Sequence, residues 1–150
     1  MDNIFVIFRS SNTLFSVAIR GLTWSRWSHV GILIGDQVIH ADALRGVVID
    51  PLSSFLVNAS RHEIVDFAVK DADTAIKAAL LELGKPYDYT AIFGFLVHRD
   101  WQEDDSWFCS ELVAYVLNKS GAPFFRLERR GRISPEHLWM IEPTRYLLST

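Results

Sequence analysis

The residues best suited to covalent chemistry are a single cysteine and five histidines in a chain of 150 residues. A lone cysteine in a chain with separate histidines is a candidate nucleophile, with an imidazole as the base that takes its proton. Cys109 stands at the start of a predicted helix, where unpaired N–H groups and the helix dipole favour a thiolate and can also bind an oxyanion. A small buried core cysteine is the alternative, because free cysteine is among the most buried residue types.

Two of the histidines, His29 and His40, fall on predicted strands at opposite ends of one hairpin. With a turn at Gly35-Asp36, we expect the two to lie roughly opposite each other and to share one face of the sheet. That arrangement supplies a base and an orienting group for a cysteine nucleophile. Two structural histidines on paired strands are the competing interpretation. The other three, predicted to lie on the surface or on a short terminal helix, are His62, His98 and His137.

The elements that must position these residues follow from hydrophobic periodicity and turn residues. Strands are predicted over residues 4–8, 28–34, 37–41, 46–50 and 63–69. Helices are predicted over residues 14–21, 51–57, 71–83, 109–120 and 134–140, with a helical turn within 87–97 and a polar loop over 98–105. The predicted class is α+β, a mostly antiparallel sheet packed against a few helices, in a single domain over residues 1–150.

Two of the predicted helices have apolar faces that indicate which side is buried. In the helix over 71–83, the face predicted to pack on the core carries Ile76, Ala79, Leu80 and Leu83. In the helix that begins at the cysteine, the predicted core stripe carries Leu112, Val113, Val116 and Leu117.

Three motifs in a fixed order resemble a known family. SHVGILIG and VIHA within 28–41, GKPYDY at 84–89 and WFCSELVAYVL at 107–117 resemble the circularly permuted NlpC/P60 hydrolases, which have a papain-like fold. The bacterial YiiX/YebB-like branch is the most similar, and the lecithin:retinol acyltransferase-like proteins are more distantly similar. The segment ISPEHLW at 133–139 resembles the closing SP-x-x-L element of the family, so the resemblance spans most of the chain.

The resemblance implies that Cys109 is the nucleophile, His29 the base and His40 the third, orienting residue. Other members carry Glu, Gln or Asn at the third position, so a histidine there is expected to leave the imidazolium of His29 without a fixed negative charge beside it. Tyr87 and Trp107 are expected to shape the substrate-binding cleft, with plain core aromatics as the equal alternative. The implied reaction is hydrolysis of an amide through a thioacyl intermediate, with a peptidoglycan stem peptide as one candidate substrate.

Two alternatives keep this fold: a lipid ester or amide hydrolase or acyltransferase, and a non-catalytic binding module. The expected partner is a peptide or an acyl-containing small substrate, with no cofactor. A zinc site is disfavoured because neither C-x-x-C nor H-x-x-x-H spacing is present. The net charge of −3 gives no reason to expect nucleic acid as a partner.

Localisation is predicted from the apolar segments. No run of about 18 apolar residues predicts a membrane span. Without a basic leader segment a cytoplasmic location is expected, with export by another route left open. No pattern in the chain indicates an oligomeric state.

Overall fold

The structure, a computed structural model, describes residues 2–88, 108–121, 125 and 133–141. The strands form one sheet and comprise β1 (Asp2–Ser11), β2 (His29–Ile34), β3 (Gln37–Asp42), β4 (Gly46–Pro51) and β5 (Ala59–Val69). The described helices are α1 (Leu14–Thr23), α2 (Leu52–Phe55), α3 (Ala72–Leu81), α4 (Cys109–Lys119) and α5 (Pro135–Trp139). Residues 89–107, which include most of the predicted helical turn and all of the polar loop, lie outside the described residues.

The sheet has the order β4-β3-β2-β1-β5, and every neighbouring pair of strands is antiparallel. The predicted α+β class is therefore confirmed. β1 lies near the centre of the sheet because its side chains are apolar on both faces: Ile4, Val6 and Phe8 pack towards α3 and α4, and Ile7 packs towards α2. No helix within the described part of the chain is long and apolar enough to cross a membrane.

The helices α3 and α4 cover one face of the sheet and form the main core with it. In α4 the predicted stripe is buried, with Leu112, Val113, Val116 and Leu117 all 0% exposed. In α3 the predicted face was right at Ala79, which is buried, and wrong at Leu80 and Leu83, which are exposed; the alanines at 72, 75 and 78 are buried in their place. Alanine side chains allow α3 to approach α4 and β1 closely, and that tertiary requirement outweighs the leucine pattern.

The hairpin between β2 and β3 turns at Gly35-Asp36, and Gly35 supplies the positive φ of 60° that such a turn needs. Its register pairs Ile34 with Gln37 and Ile32 with Ile39. Continued along the strands, this register places His40 across from Gly31, so His29 and His40, which were predicted to lie roughly opposite each other, are offset by two residues. The two histidines are diagonal neighbours on one face of the sheet, because residues two apart on a strand point to the same side.

The other face of the sheet is covered by the short helix α2, whose Phe55 packs against Ile7 and Val38. Because side chains alternate along a strand, His29 and His40 point to this face, whereas Val30 and Ile32 point to the face that α4 covers. The sheet therefore separates the two histidine side chains from the core of α4.

Candidate active site

Cys109 is the first residue of α4 and is 0% exposed. The backbone N–H groups of Val30, Ser110 and Cys109 itself interact favourably with its sulfur and lower the pKa of the thiol. Burial raises the pKa of the thiol more than these donors lower it, so the pKa rises to about 12. The sequence-based expectation that the helix start favours a thiolate is thus outweighed by desolvation, and the resting group at neutral pH is the thiol.

The start of α4 is anchored by its own side chains. The carboxylate of Glu111, which is buried, accepts a hydrogen bond from the Phe108 N–H at 3.4 Å. The Ser110 hydroxyl donates to the carbonyl oxygen of Ile133, in the segment that leads into α5. These bonds fix the first turn of the helix and hence the direction of the Cys109 side chain.

The imidazoles of His29 and His40 are joined by a hydrogen bond between Nε2 of His29 and Nδ1 of His40, at 2.8 Å. Nε2 of His40 lies 2.9 Å from a carboxylate oxygen of Asp50, on β4. Gly31 makes this contact possible: a Cβ there would lie 2.5 Å from Val38 Cγ1 and 3.1 Å from His40 Cβ. Because Gly31 has no side chain, the ring of His40 can extend across β2 to reach His29.

The protons along this hydrogen-bond chain can be assigned from Asp50, which is ionised and can only accept. Nε2 of His40 must therefore donate to Asp50, which leaves Nδ1 of a neutral His40 as an acceptor. Nε2 of His29 must then donate to His40, so the second nitrogen of His29, Nδ1, carries a lone pair. Asp50 thus sets His29 in the tautomer that a general base requires.

Asp50 is itself held by Arg45, whose guanidinium reaches both carboxylate oxygens, at 3.0 Å and 2.5 Å. The hydrogen bond from Arg45, followed by the one from His40, lowers the pKa of Asp50 to about 2. The expectation that no fixed negative charge lies directly beside His29 agrees with the described residues, because Asp50 contacts His40 and not His29. What the expectation missed is that the hydrogen-bond chain continues from His40 to a carboxylate.

His29 is uncharged at neutral pH. Burial lowers its pKa well below the ordinary value, and electrostatic interactions with the His40 side chain and with the positive charge of Arg9 act in the same direction. Its ring stacks on Phe55 at 5.4 Å between centroids, so α2 holds the ring plane.

The sulfur of Cys109 lies near β2 at the point where β2 is no longer paired with β3. The β2–β3 register ends at Ile32 and Ile39, and Val30 lies beyond it. Its N–H interacts with the sulfur and lowers the pKa of the thiol. The nitrogen of Val30 is bonded to the carbonyl carbon of His29, so Cys109 lies beside the backbone of the histidine strand. Among the described residues no hydrogen bond joins Sγ to an imidazole nitrogen, and the ring of His29 lies on the opposite face of the sheet, against Phe55.

A cavity of about 580 Å³ opens beside His29 at the end of the sheet. Its wall carries one cation, Arg9, one anion, Asp42, and several serine and threonine hydroxyls. Tyr87 also lines it, and its ring contacts Phe108 at 5.9 Å between centroids, within the main core. Its role in binding substrate stays a prediction. The predicted partner of Tyr87 in the cleft, Trp107, lies outside the described residues.

Tyr87 is held near the site by the pairing of its segment with β4. The Val47 N–H donates to the carbonyl of Lys85 at 2.8 Å, and the Gly84 N–H donates to the carbonyl of Val47 at 2.9 Å. A Cβ on Gly46 would lie 2.2 Å from the same Lys85 oxygen, so only glycine permits this approach.

The remaining described histidines lie outside the site, in agreement with their prediction. His62 is exposed on β5, and Nδ1 of His137 accepts a hydrogen bond from the Ser134 N–H at the start of α5. His98 lies outside the described residues. Two residues that sequence reasoning missed are Asp50 and Arg9. Asp50 has the strand spacing that places it on the face of His40, but nothing local in the sequence marks Arg9.

Comparison with known proteins adds two findings. The sequence profile of a family described as "permuted papain-like amidase enzyme, YaeF/YiiX, C92 family" matches residues 5–134. The fold is similar to the "crystal structure of metalloprotein yiiX from Escherichia coli O157:H7", with a TM-score of 0.68 and 20% identity over 95% of this chain and 93% of that chain. No functionally curated protein gives a significant match.

Proposed function

Because this chain belongs to the permuted papain-like amidases of the C92 family, a family of cysteine hydrolases, we propose that it cleaves an amide bond through a thioacyl intermediate on Cys109. In this proposal His29 is the general base and His40 its orienting residue. One observation carries the assignment: the hydrogen-bond chain from Asp50 through His40 leaves Nδ1 of His29 with a lone pair, one residue before Val30, whose N–H interacts with the Cys109 sulfur.

The reaction begins from an uncharged thiol and an uncharged imidazole. As Sγ of Cys109 attacks the carbonyl carbon, the S–H proton moves to Nδ1 of His29 and the carbonyl electron pair moves to oxygen. The imidazolium that forms on His29 is stabilised through His40 by the carboxylate of Asp50. Charge separation thus arises only in the transition state, where it contributes to rate.

The collapse of the tetrahedral adduct returns the proton. The C–N bond breaks as His29 gives its proton to the leaving amine, and an acyl thioester stays on Cys109. Water then attacks the thioester as His29 takes one of its protons. The C–S bond breaks, the acid product leaves, and His29 returns that proton to the sulfur, which restores the thiol. The N–H groups of Cys109 and Ser110 at the start of α4 are the donors available to the oxyanion in both steps.

The proposed substrate is a peptide, for which a stem peptide of peptidoglycan is one candidate. A lipid ester or amide is the second candidate, because apolar side chains at the cavity mouth are solvent-exposed: Leu44 is 92% exposed and Phe15 is 46% exposed. A long acyl chain would cover these residues and gain about 25 cal/mol for each Å² of apolar surface removed from water.

The similar crystal structure is described as that of a metalloprotein. In this chain, the part that the structure describes contains no group of three or more His, Cys, Asp and Glu side chains placed to hold a metal ion. His29 and His40 are hydrogen-bonded to each other, and His40 is also hydrogen-bonded to Asp50.

The proposal is tested by trapping the intermediate. Purified protein is mixed with p-nitroanilide peptides and with p-nitrophenyl acyl esters, quenched in acid, and analysed by intact-mass spectrometry and peptide mapping. We expect a single acyl adduct on Cys109 and turnover of one substrate class, and we expect Cys109→Ala to form no adduct and lose turnover. Turnover by Cys109→Ala equal to wild type would overturn the proposal, and adduct-free binding of peptide would favour a non-catalytic module.

A further inference from the structure

Among the described residues that line the cavity, Arg9 carries the positive charge. It lies on β1, which pairs with the strand that carries His29. It pairs directly with His29 in the β1–β2 register, so the two side chains leave the sheet side by side. Both line the cavity. Burial lowers the pKa of Arg9, whereas electrostatic interactions with Asp42 and with the thiolate form of Cys109 raise it, so the guanidinium is close enough to stabilise negative charge at the sulfur.

The guanidinium of Arg9 is fixed by hydrogen bonds from Nη1, whereas its Nε–Nη2 edge makes no hydrogen bond to the described residues. Nη1 donates to the carbonyl oxygen of Phe55 at 2.6 Å and to that of Val57 at 3.4 Å, and the group lies over the Phe55 ring at 4.9 Å from its centroid. Nε and Nη2 donate to no group of the described chain, and neither is among its buried polar atoms without a partner. These two donors form one edge of the guanidinium plane, held rigidly and open to solvent.

The acidic residue of the cavity does not neutralise Arg9 by contact. Asp42 accepts from the N–H groups of Leu44 and Arg45 at 2.9 Å and 3.0 Å, and from the Arg45 guanidinium at 3.4 Å. Its carboxylate is therefore satisfied within its own turn. Asp42 still carries a negative charge near the cavity, so a ligand with a single negative charge is favoured over a dianion such as a phosphate monoester.

We propose that Arg9 is a specificity-determining residue whose free Nε–Nη2 edge binds a carboxylate of the substrate beside the scissile amide. This inference rests on the proposed function, because it places the carboxylate within reach of Cys109 and His29. Two parallel N–H donors on one edge match the two oxygens of a carboxylate in a planar, bidentate pair. The substrate class is thus an amide whose acyl or amine part carries a free carboxylate.

The test compares iodoacetate with iodoacetamide, two reagents of nearly equal shape that differ in carrying a carboxylate or a neutral amide. Cys109 is the only cysteine, so every adduct reports on this site. The ratio of the two alkylation rates is measured in the folded protein and in the same protein unfolded in urea. We expect the folded protein to favour iodoacetate by about tenfold to a hundredfold relative to the unfolded chain, with saturation kinetics, since a charge-assisted bidentate contact supplies this much binding.

Three variants locate the effect. Arg9→Gln is expected to abolish the preference, and Arg9→Lys to retain part of it, because lysine keeps the charge but lacks the planar edge. Arg61→Gln removes a cation from an exposed position on β5 and is expected to leave the ratio at the wild-type value.

The outcomes separate this inference from the proposed function. If iodoacetamide labels Cys109 but the folded wild type shows no preference for iodoacetate, the role of Arg9 is overturned and the proposed function stands. A preference for iodoacetate that persists in Arg9→Gln also overturns the role of Arg9. If neither reagent labels Cys109, with substrate present or absent, both the role of Arg9 and the proposed function are overturned. If Arg9→Gln fails to fold, the wild-type ratio and Arg9→Lys decide the question.

Discussion

The thiol and the imidazole of the site are held by opposite physical means. Cys109 lies in an apolar core, where backbone N–H groups lower the pKa of its thiol, whereas His29 is hydrogen-bonded to a chain of polar side chains that ends in an ion pair between Asp50 and Arg45. Burial nevertheless leaves both groups uncharged at rest, because it raises the pKa of the thiol and lowers that of the imidazole. The contrast indicates that the hydrogen-bond chain from Asp50 through His40 orients the proton on His29, rather than stabilising a resting thiolate–imidazolium pair.

The sheet itself joins these two environments. Cys109 approaches from the face covered by α4, and the histidines lie on the face covered by α2. They converge where β2 is no longer paired with β3, and the Val30 N–H is available to the sulfur there. In the proposed reaction, the proton would therefore pass from Cys109 to His29 at the point where the β2–β3 pairing ends.

The largest effect among the histidine-side changes is expected for His29→Ala. Removal of the base leaves the Cys109 thiol without an acceptor for its proton, so kcat should fall by about 10²- to 10⁴-fold. Steady-state turnover measures this loss, and far-UV circular dichroism checks the fold. His62→Ala, on the exposed side of β5, is the matched control and should keep wild-type turnover.

Asp50→Asn is expected to reverse the polarity of the hydrogen-bond chain. Arg45 would draw the amide oxygen, so the amide NH₂ would face Nε2 of His40 and force it to accept. His40 would then donate to His29, leaving Nδ1 of His29 protonated and unable to act as a base. We expect kcat to fall by about 10²- to 10³-fold, by the logic that applies to triads with a wrong tautomer. Direct ¹⁵N NMR of the imidazoles reports the tautomers, and an unchanged tautomer of His29 would contradict the chain.

His40→Ala should weaken turnover without abolishing it. His29 keeps its lone pair and its stacking on Phe55 but loses the partner that fixes its tautomer and stabilises its cation. A decrease in kcat of about 10- to 100-fold is expected. His40→Gln offers a matched comparison, because glutamine can still accept from His29, and it should recover part of the rate. Loss as complete as in His29→Ala would assign His40 a direct role in the reaction.

Gly31→Ala sharpens the comparison by disturbing the contact between the two histidines while leaving Cys109 intact. The new Cβ would lie within 3.1 Å of Val38, Ile39 and His40 atoms, so β3 must shift. Such overpacking should cost about 1–3 kcal/mol in the free energy of unfolding, with kcat reduced by about tenfold because the His40 ring is displaced. Urea denaturation and turnover measure both effects. Gly21→Ala, at a position with open space around it, is the control.

The locations of the reactive groups along the chain were predictable, because they depend on local signals. α4 begins at Cys109 as predicted, since the apolar stripe and the Gly121 end mark the helix. The resemblance to permuted papain-like proteins of the YiiX kind is confirmed by the family match. The catalytic roles of Cys109, His29 and His40 stay predictions, as do a single domain and a cytoplasmic location.

The surroundings of these groups were not predictable from local patterns. The hairpin register depends on where the turn is centred, and an error of one position in the turn displaces the partner of His29 by two residues. The contribution of Asp50 depends on the pairing of β4 with β3, and the state of the thiol depends on how completely α4 and the sheet exclude water. Both are tertiary properties that no short motif encodes.

The most direct test of the account is the pH dependence of Cys109 alkylation by iodoacetamide, from pH 4 to pH 11, in wild type and in His29→Ala. With a thiol pKa of about 12, the thiolate fraction increases with pH throughout this range, and neutral His29 adds base assistance that is lost as the pH falls through its lowered pKa. The account predicts a wild-type rate that continues to rise above pH 8 and falls at least about tenfold at pH 7 in His29→Ala. A rate that is constant from pH 5 to pH 9, or one that His29→Ala leaves unchanged, would contradict it.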